Sequence, residues 1–378
     1  MRAYVFTDQA LKRHAGRFVW LAVDGEKPQN AALHRTLNIT AYPTFYIMDP
    51  RDERVALRWL GSMTVPQMER ILDSGERAVR GGGTPLDGRM VHADSLYAAG
   101  SDSLAALAFD AVLTAAPPSW PDRQRALESL LAVESDLDHN DRCAMLAEHY
   151  LAGLPPHSMA AANVAAAGLG GAFALPAEDP RRGAWIARFE PVVAAVAGDS
   201  TMVMTGDDRS GLYGVLIDAR DDAKDSLGTR RTVETWSAAL DRDAGRAKTP
   251  EQRTVYDSHR LSAYIELGQP ERAVPMLQQS EREFPDDYNP PARLALAYKA
   301  MQRWDDALAA SDRALRLVYG PRTLTVYRTR TDIYEGKGDR TAAARTLQDA
   351  IAMAEKLPQG QRSDAAIASL KKRLESLQ

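Results

Sequence analysis

Beyond residue 85, apolar positions recur at helical spacing, and short turns bearing glycine, proline or polar residues separate the periodic stretches. Such spacing places one apolar stripe on each helix and predicts a chain of helices and turns. Helices are expected over 121–133, 141–151, 158–169, 183–196, 209–225 and 229–243, with Gly168 to Gly171 breaking the series as a loop. A closing helix is expected over 363–377, apolar at Ala366, Ile367, Leu370, Leu374 and Leu377. Residues 1–80 read differently. An apolar run of strand length covers 18–24, a short helix covers 28–37, and strands are expected over 40–48 and 54–60. Pro28 suits a first helical turn, and Asn38 suits a left-handed helix end. Thr64 can cap a further helix that carries Met68, Ile71 and Leu72 on one face.

Three helical hairpins between residues 254 and 355 fit one template. The first carries Leu261, Tyr264, Gly268, Ala273, Leu277, Ser280 and Pro285. The second carries Ala295, Tyr298, Gln302, Ala307, Ser311, Ala314 and Tyr319, and the third Thr331, Tyr334, Gly338, Ala343, Leu347 and Ala350. Ala273, Ala307 and Ala343 lie 34 and then 36 residues apart, the extra pair falling in the Tyr319–Arg322 corner. Small residues are needed where the two helices of a hairpin cross. Gly268 and Gly338 suit the end of a first helix, and Pro285 stops a second one. The pattern resembles the tetratricopeptide repeat, whose period is about 34 residues. A fainter copy runs through Ala93, Leu96, Gly100, Ala105, Phe109 and Pro117. The expected fold class is mainly α: a tetratricopeptide-like helical-hairpin array preceded by a partial α/β domain.

The order strand, helix, Tyr42-Pro43-Thr44, strand, strand, Gly61, helix resembles the second half of a thioredoxin domain, over residues 5–79. Tyr42-Pro43-Thr44 matches that family's cis-proline loop. The resemblance implies that Ala41, Tyr42 and Pro43 contact extended peptides through the backbone. It also implies a Cys-x-x-Cys facing the loop, and the sequence has none. In the family's register both cysteines, and a central strand, would lie just before Met1. Either the coding start is set at an internal methionine, which is the favoured expectation, or the protein is a true truncation. Without that strand, 18–24 and 44–48 lack the neighbour that should lie between them, leaving sheet edges open and residues 1–80 marginal.

Net charge is −4 over 378 residues, so no basic surface argues for nucleic acid. No apolar run reaches membrane-span length, and the N-terminus has no signal-peptide core. As given, the chain is expected in the cytoplasm, or in the periplasm if an upstream signal peptide exists. Cys143 is the one cysteine, which excludes a two-cysteine redox motif within the chain. His139 lies one turn before it, but His149 falls off their shared face, so a packed apolar cysteine is expected in place of a metal site. Gly168 to Phe173 lacks the lysine and spacing of a phosphate loop. Asp207-Asp208 and Asp221-Asp222 lack calcium-loop spacing and read as solvated helix ends. Tyr264, Tyr298 and Tyr334 recur at one repeat position and read as packing residues. No cofactor or metal is expected. Expected domains are 1–80, 86–253, 254–357 and 361–378. Two functions fit: a protein-binding scaffold or chaperone-like protein with a protein or peptide client, or a thiol-disulfide oxidoreductase with its cysteine pair upstream. An enzymatic role belongs to the second alone.

Overall fold

A computed structural model describes residues 1–37, 39, 41–81 and 83–377. The expected cap at Asn38 therefore lies outside the described residues, as does Gly82 of the glycine run. The fold is mainly α, with a two-stranded sheet among the described residues. Two compact units are present. One comprises Met1–Val19 and Leu37–Trp236, the other Trp20–Thr36 and Ser237–Gln378. Gly81 and Gly83, between the expected domains 1–80 and 86–253, both lie inside the first unit. Gly81 has φ 69° and ends helix Val65–Arg80, and Thr84 at once caps helix Pro85–Ala98.

In the first unit, β1 (Thr44–Met48) pairs antiparallel with β2 (Val55–Leu60), with Phe45 opposite Trp59 and a register shift between Ile47 and Met48. Asp49 secures the turn between them. Its carboxylate accepts from Arg51 N at 3.0 Å and from Arg51 Nε at 2.9 Å, and these bonds hold it down at about 2. Leu57, Met63, Met68, Ile71, Leu72 and Val5 form the core beneath the sheet. Helices Arg123–Asp136, Asn140–Leu151, Met159–Phe173, Pro180–Gly198 and Gly206–Asp222 then pack on sequence neighbours.

Two expectations are corrected. Residues 18–24 form no strand, and Val19 and Leu21 are 89% and 82% exposed. An extended run becomes a strand only when a neighbour pairs with its backbone, and among the described residues β1 and β2 pair only with each other. Gly168 to Gly171 is no loop, because it lies inside helix Met159–Phe173. A Cβ on Gly168 would sit 2.6 Å from Phe189 Cε2, and one on Gly171 would sit 2.4 Å from Asn140 O. These glycines let helices Pro180–Gly198 and Asn140–Leu151 approach closely.

In the second unit the hairpins are Asp257–Glu266 with Ala273–Glu283, Asn289–Ala300 with Trp304–Leu317, and Thr323–Lys337 with Arg340–Glu355. Helix Asp364–Leu377 packs on the last of these. Gly268, Gln302 and Gly338, at equivalent template positions, all have positive φ (70°, 57° and 82°), which turns the chain out of each first helix. Ala273, Ala307 and Ala343 are fully buried. Ala307→Leu is expected to overpack its crossing by about 1–3 kcal/mol, read as a lowered urea midpoint for loss of helix. An unchanged midpoint would mean that Ala307 does not sit at the crossing.

Candidate functional site

Pro43 enters β1 through a cis Tyr42–Pro43 bond. Thr44 Oγ1 donates to Ala41 O at 2.6 Å, and Gly61 N donates to Pro43 O at 2.8 Å. These bonds fix the loop backbone at the end of the hairpin. Ala41 is exposed, Tyr42 is 49% exposed, and Pro43 is half-buried. Antiparallel pairs alternate between bonded and non-bonded. With Pro43 bonded to Gly61, residues Thr44 and Tyr46 turn their backbone groups to the edge away from β2. No strand among the described residues covers that edge. Phe45, Ile47 and Trp59 pack against the core below, so the edge is firmly backed. The arrangement offers backbone donors and acceptors beside an exposed aromatic ring, which suits recognition of an extended chain.

Cys143 lies on helix Asn140–Leu151, 3% exposed, with Sγ donating to Leu131 O at 3.7 Å. Burial, aided by Glu134 and Asp141, pushes its thiol up to about 11. His139 turns to Glu134 at 2.6 Å, and His149 stacks edge-on with Tyr150. The structure thus does not bring these three together, and among the described residues no cluster of His, Cys, Asp and Glu could hold a metal. A thiol this buried is protonated at neutral pH, so Cys143 is expected to react with a disulfide reagent at pH 7.5 only as the fold opens. Rapid labelling of the native chain would contradict this.

The repeat tyrosines face the packing. Arg272 and Arg303 sit 4.2 and 4.8 Å from the ring centroids of Tyr264 and Tyr298, and Arg330 lies 5.3 Å from that of Tyr334. Gln278 Nε2 donates to the Tyr298 hydroxyl at 3.2 Å, and Arg330 Nη2 to that of Tyr334 at 3.1 Å. These residues join helices within and between hairpins.

Two features escape sequence reading. A cavity of about 710 Å³ in the first unit is lined by Trp59, Glu128, Met159, Asn163, Met204 and Asp208, among others. Glu128 Oε1 accepts from Gln124 at 3.1 Å and from Asn163 at 3.0 Å, and burial raises the carboxyls of both Glu128 and Asp208. Its lining comes from separated chain segments, so no motif marks it. The second feature is the seating of residues 24–31 in the second unit. Tyr319 Oη donates to Asp24 Oδ2 at 2.6 Å, and Arg322 Nε donates to Glu26 Oε1 at 3.0 Å. Gln361 Nε2 donates to Gly25 O at 2.6 Å and to Lys27 O at 3.0 Å. The two-residue insertion at the Tyr319–Arg322 corner was the available signal.

Comparison with known proteins locates the repeats. Residues 288–356 match the tetratricopeptide repeat family. No curated protein matches the chain in sequence. Among solved structures, a tetratricopeptide repeat protein from Parabacteroides merdae ATCC 43184 has 11% identity and a TM-score of 0.48, covering 78% of this chain and 100% of that one. The assembly chaperone of RpL4 (Acl4) has 14% identity and a TM-score of 0.31, covering 78% and 98%. The APC/C Cut9–Hcn1 hetero-tetramer has 12% identity and a TM-score of 0.27, covering 83% of this chain and 60% of that one. The hairpins Asn289–Ala300 with Trp304–Leu317 and Thr323–Lys337 with Arg340–Glu355, which carry the family match, are tetratricopeptide repeats.

Proposed function

We propose that the chain is a protein-binding scaffold of chaperone-like character that holds a protein or peptide client. The helical array provides recognition surfaces, and the N-terminal α/β segment acts as a redox-silent, thioredoxin-like peptide-contact module. The observation that carries the reading is the loop of exposed Ala41, exposed Tyr42 and half-buried Pro43 beside the edge of β1 that no strand among the described residues covers. An extended client segment would add to β1 through the backbone groups of Thr44 and Tyr46, with Tyr42 against its side chains. Redox silence follows from Cys143, whose buried, protonated thiol is the chain's one cysteine.

Reduced, carboxymethylated α-lactalbumin is a suitable unfolded probe. Binding is expected to slow amide exchange at Thr44 and Tyr46, and Tyr42→Ala is expected to weaken it several-fold. Binding that protects only the helices would remove the N-terminal module from the reading. Absence of binding to this probe and to a library of extended peptides would overturn the scaffold reading itself.

A further inference from the structure

We propose that Tyr319, Arg322 and Gln361 form a recognition surface for an acidic turn of the form Asp-x-Glu on a client protein, and that Asp24–Lys27 fills it in the free chain as a built-in competitor. The inference extends the protein-binding reading to one face of the array.

The surface is built for such an occupant. At the acidic turn itself, donors come from the array and acceptors from the segment. The Tyr319 hydroxyl meets the Asp24 carboxylate, and the Arg322 backbone N and Nε meet the Glu26 carboxylate at 3.2 and 3.0 Å. The Gln361 amide, 9% exposed, spans two main-chain carbonyls and so reads backbone path. Two glycines clear room for that backbone. A Cβ on Gly320 would lie 2.2 Å from Glu26 O, and one on Gly360 would lie 2.0 Å from Ala31 O. The Asp24 bond also pushes the Tyr319 phenol up to about 12.

The occupant is held in a way that permits exchange. The array's apolar clusters around Leu294 and Leu347 contain no residue of 20–36. Tyr319 is 46% exposed, so the Asp24 contact competes directly with water. Gln361 Oε1 is buried without a hydrogen-bond partner, so the internal segment leaves part of the surface unused. A client that carries the same acidic turn plus a donor at that point satisfies the surface more fully.

The test uses the full chain and a fluorescein-labelled synthetic peptide with the sequence of residues 22–36. Glu26→Arg sets like charge against Arg322 and frees the surface. This variant is expected to bind the peptide at least tenfold more tightly than the parent chain. Arg322→Glu is expected to abolish binding of that peptide. It should restore binding of a peptide carrying arginine at the Glu26 position. Matched circular dichroism melts will show that the variants fold, and Tyr319→Phe supplies a milder change, expected to weaken binding several-fold. Equal peptide affinity for the parent and Glu26→Arg would make the segment a permanent structural part and overturn the proposal. Binding indifferent to Arg322→Glu would overturn it too. Neither result touches the Tyr42 loop, whose probe and site are different.

Discussion

Replacing Asp94 by alanine is expected to destabilise the first unit by about 3–5 kcal/mol. Asp94, on helix Pro85–Ala98, is 1% exposed, and Arg125, on helix Arg123–Asp136, is 9% exposed. Arg125 Nη1 donates to Asp94 Oδ2 at 2.7 Å. Burial raises the Asp94 carboxyl while Arg125 works against that rise, so the ionised pair already carries a desolvation cost. Removing the carboxylate leaves the guanidinium buried with the more distant Asp122, at 3.7 Å. The paired change Asp94→Leu with Arg125→Met replaces both charges with apolar volume and is expected to recover most of the loss. Urea unfolding followed by amide exchange in helix Arg123–Asp136 measures both. A single-variant loss below about 1 kcal/mol would show that Arg125 finds water or another acid.

Gly171→Val is expected to cost about 3 kcal/mol or more, whereas Gly170→Ala should gain about 0.5–1 kcal/mol. The two positions are adjacent on helix Met159–Phe173. A Cβ on Gly171 would meet Asn140 O at 2.4 Å and Ala144 N at 3.0 Å. Those atoms are backbone of the facing helix, which gives way only if the helices separate. Gly170 is exposed and has nothing within 4 Å of an added Cβ, so alanine there simply improves helix propensity. Thermal melts of both variants decide the matter. Equal behaviour at the two positions would mean that the run is not a helix crossing.

The candidate peptide loop was partly legible in advance. Tyr42-Pro43-Thr44 marked the entrance to a strand, and β1 begins at Thr44. The behaviour of 18–24 was not legible, because apolar content alone does not make a strand. For the seat of 24–31 the sequence offered the two-residue insertion at the Tyr319–Arg322 corner but nothing that named its occupant. Tyr319 lies 295 residues from Asp24, and nothing in either stretch names the other.

The repeat architecture was written in the chain itself. Ala273, Ala307 and Ala343, with Gly268 and Gly338, recur because each hairpin packs on its neighbours in sequence, so a short window contains both sides of every contact. Helix periodicity in the first unit was legible for the same reason. Close approach was a different matter. A glycine run reads locally as a break, and only the facing backbone at Asn140 shows that Gly171 serves a helix crossing. Likewise, the Asp94–Arg125 pair, the lining of the cavity and the seat of Asp24–Lys27 each join separated chain segments. Their energies depend on burial and distance, which arise only once the helices are packed.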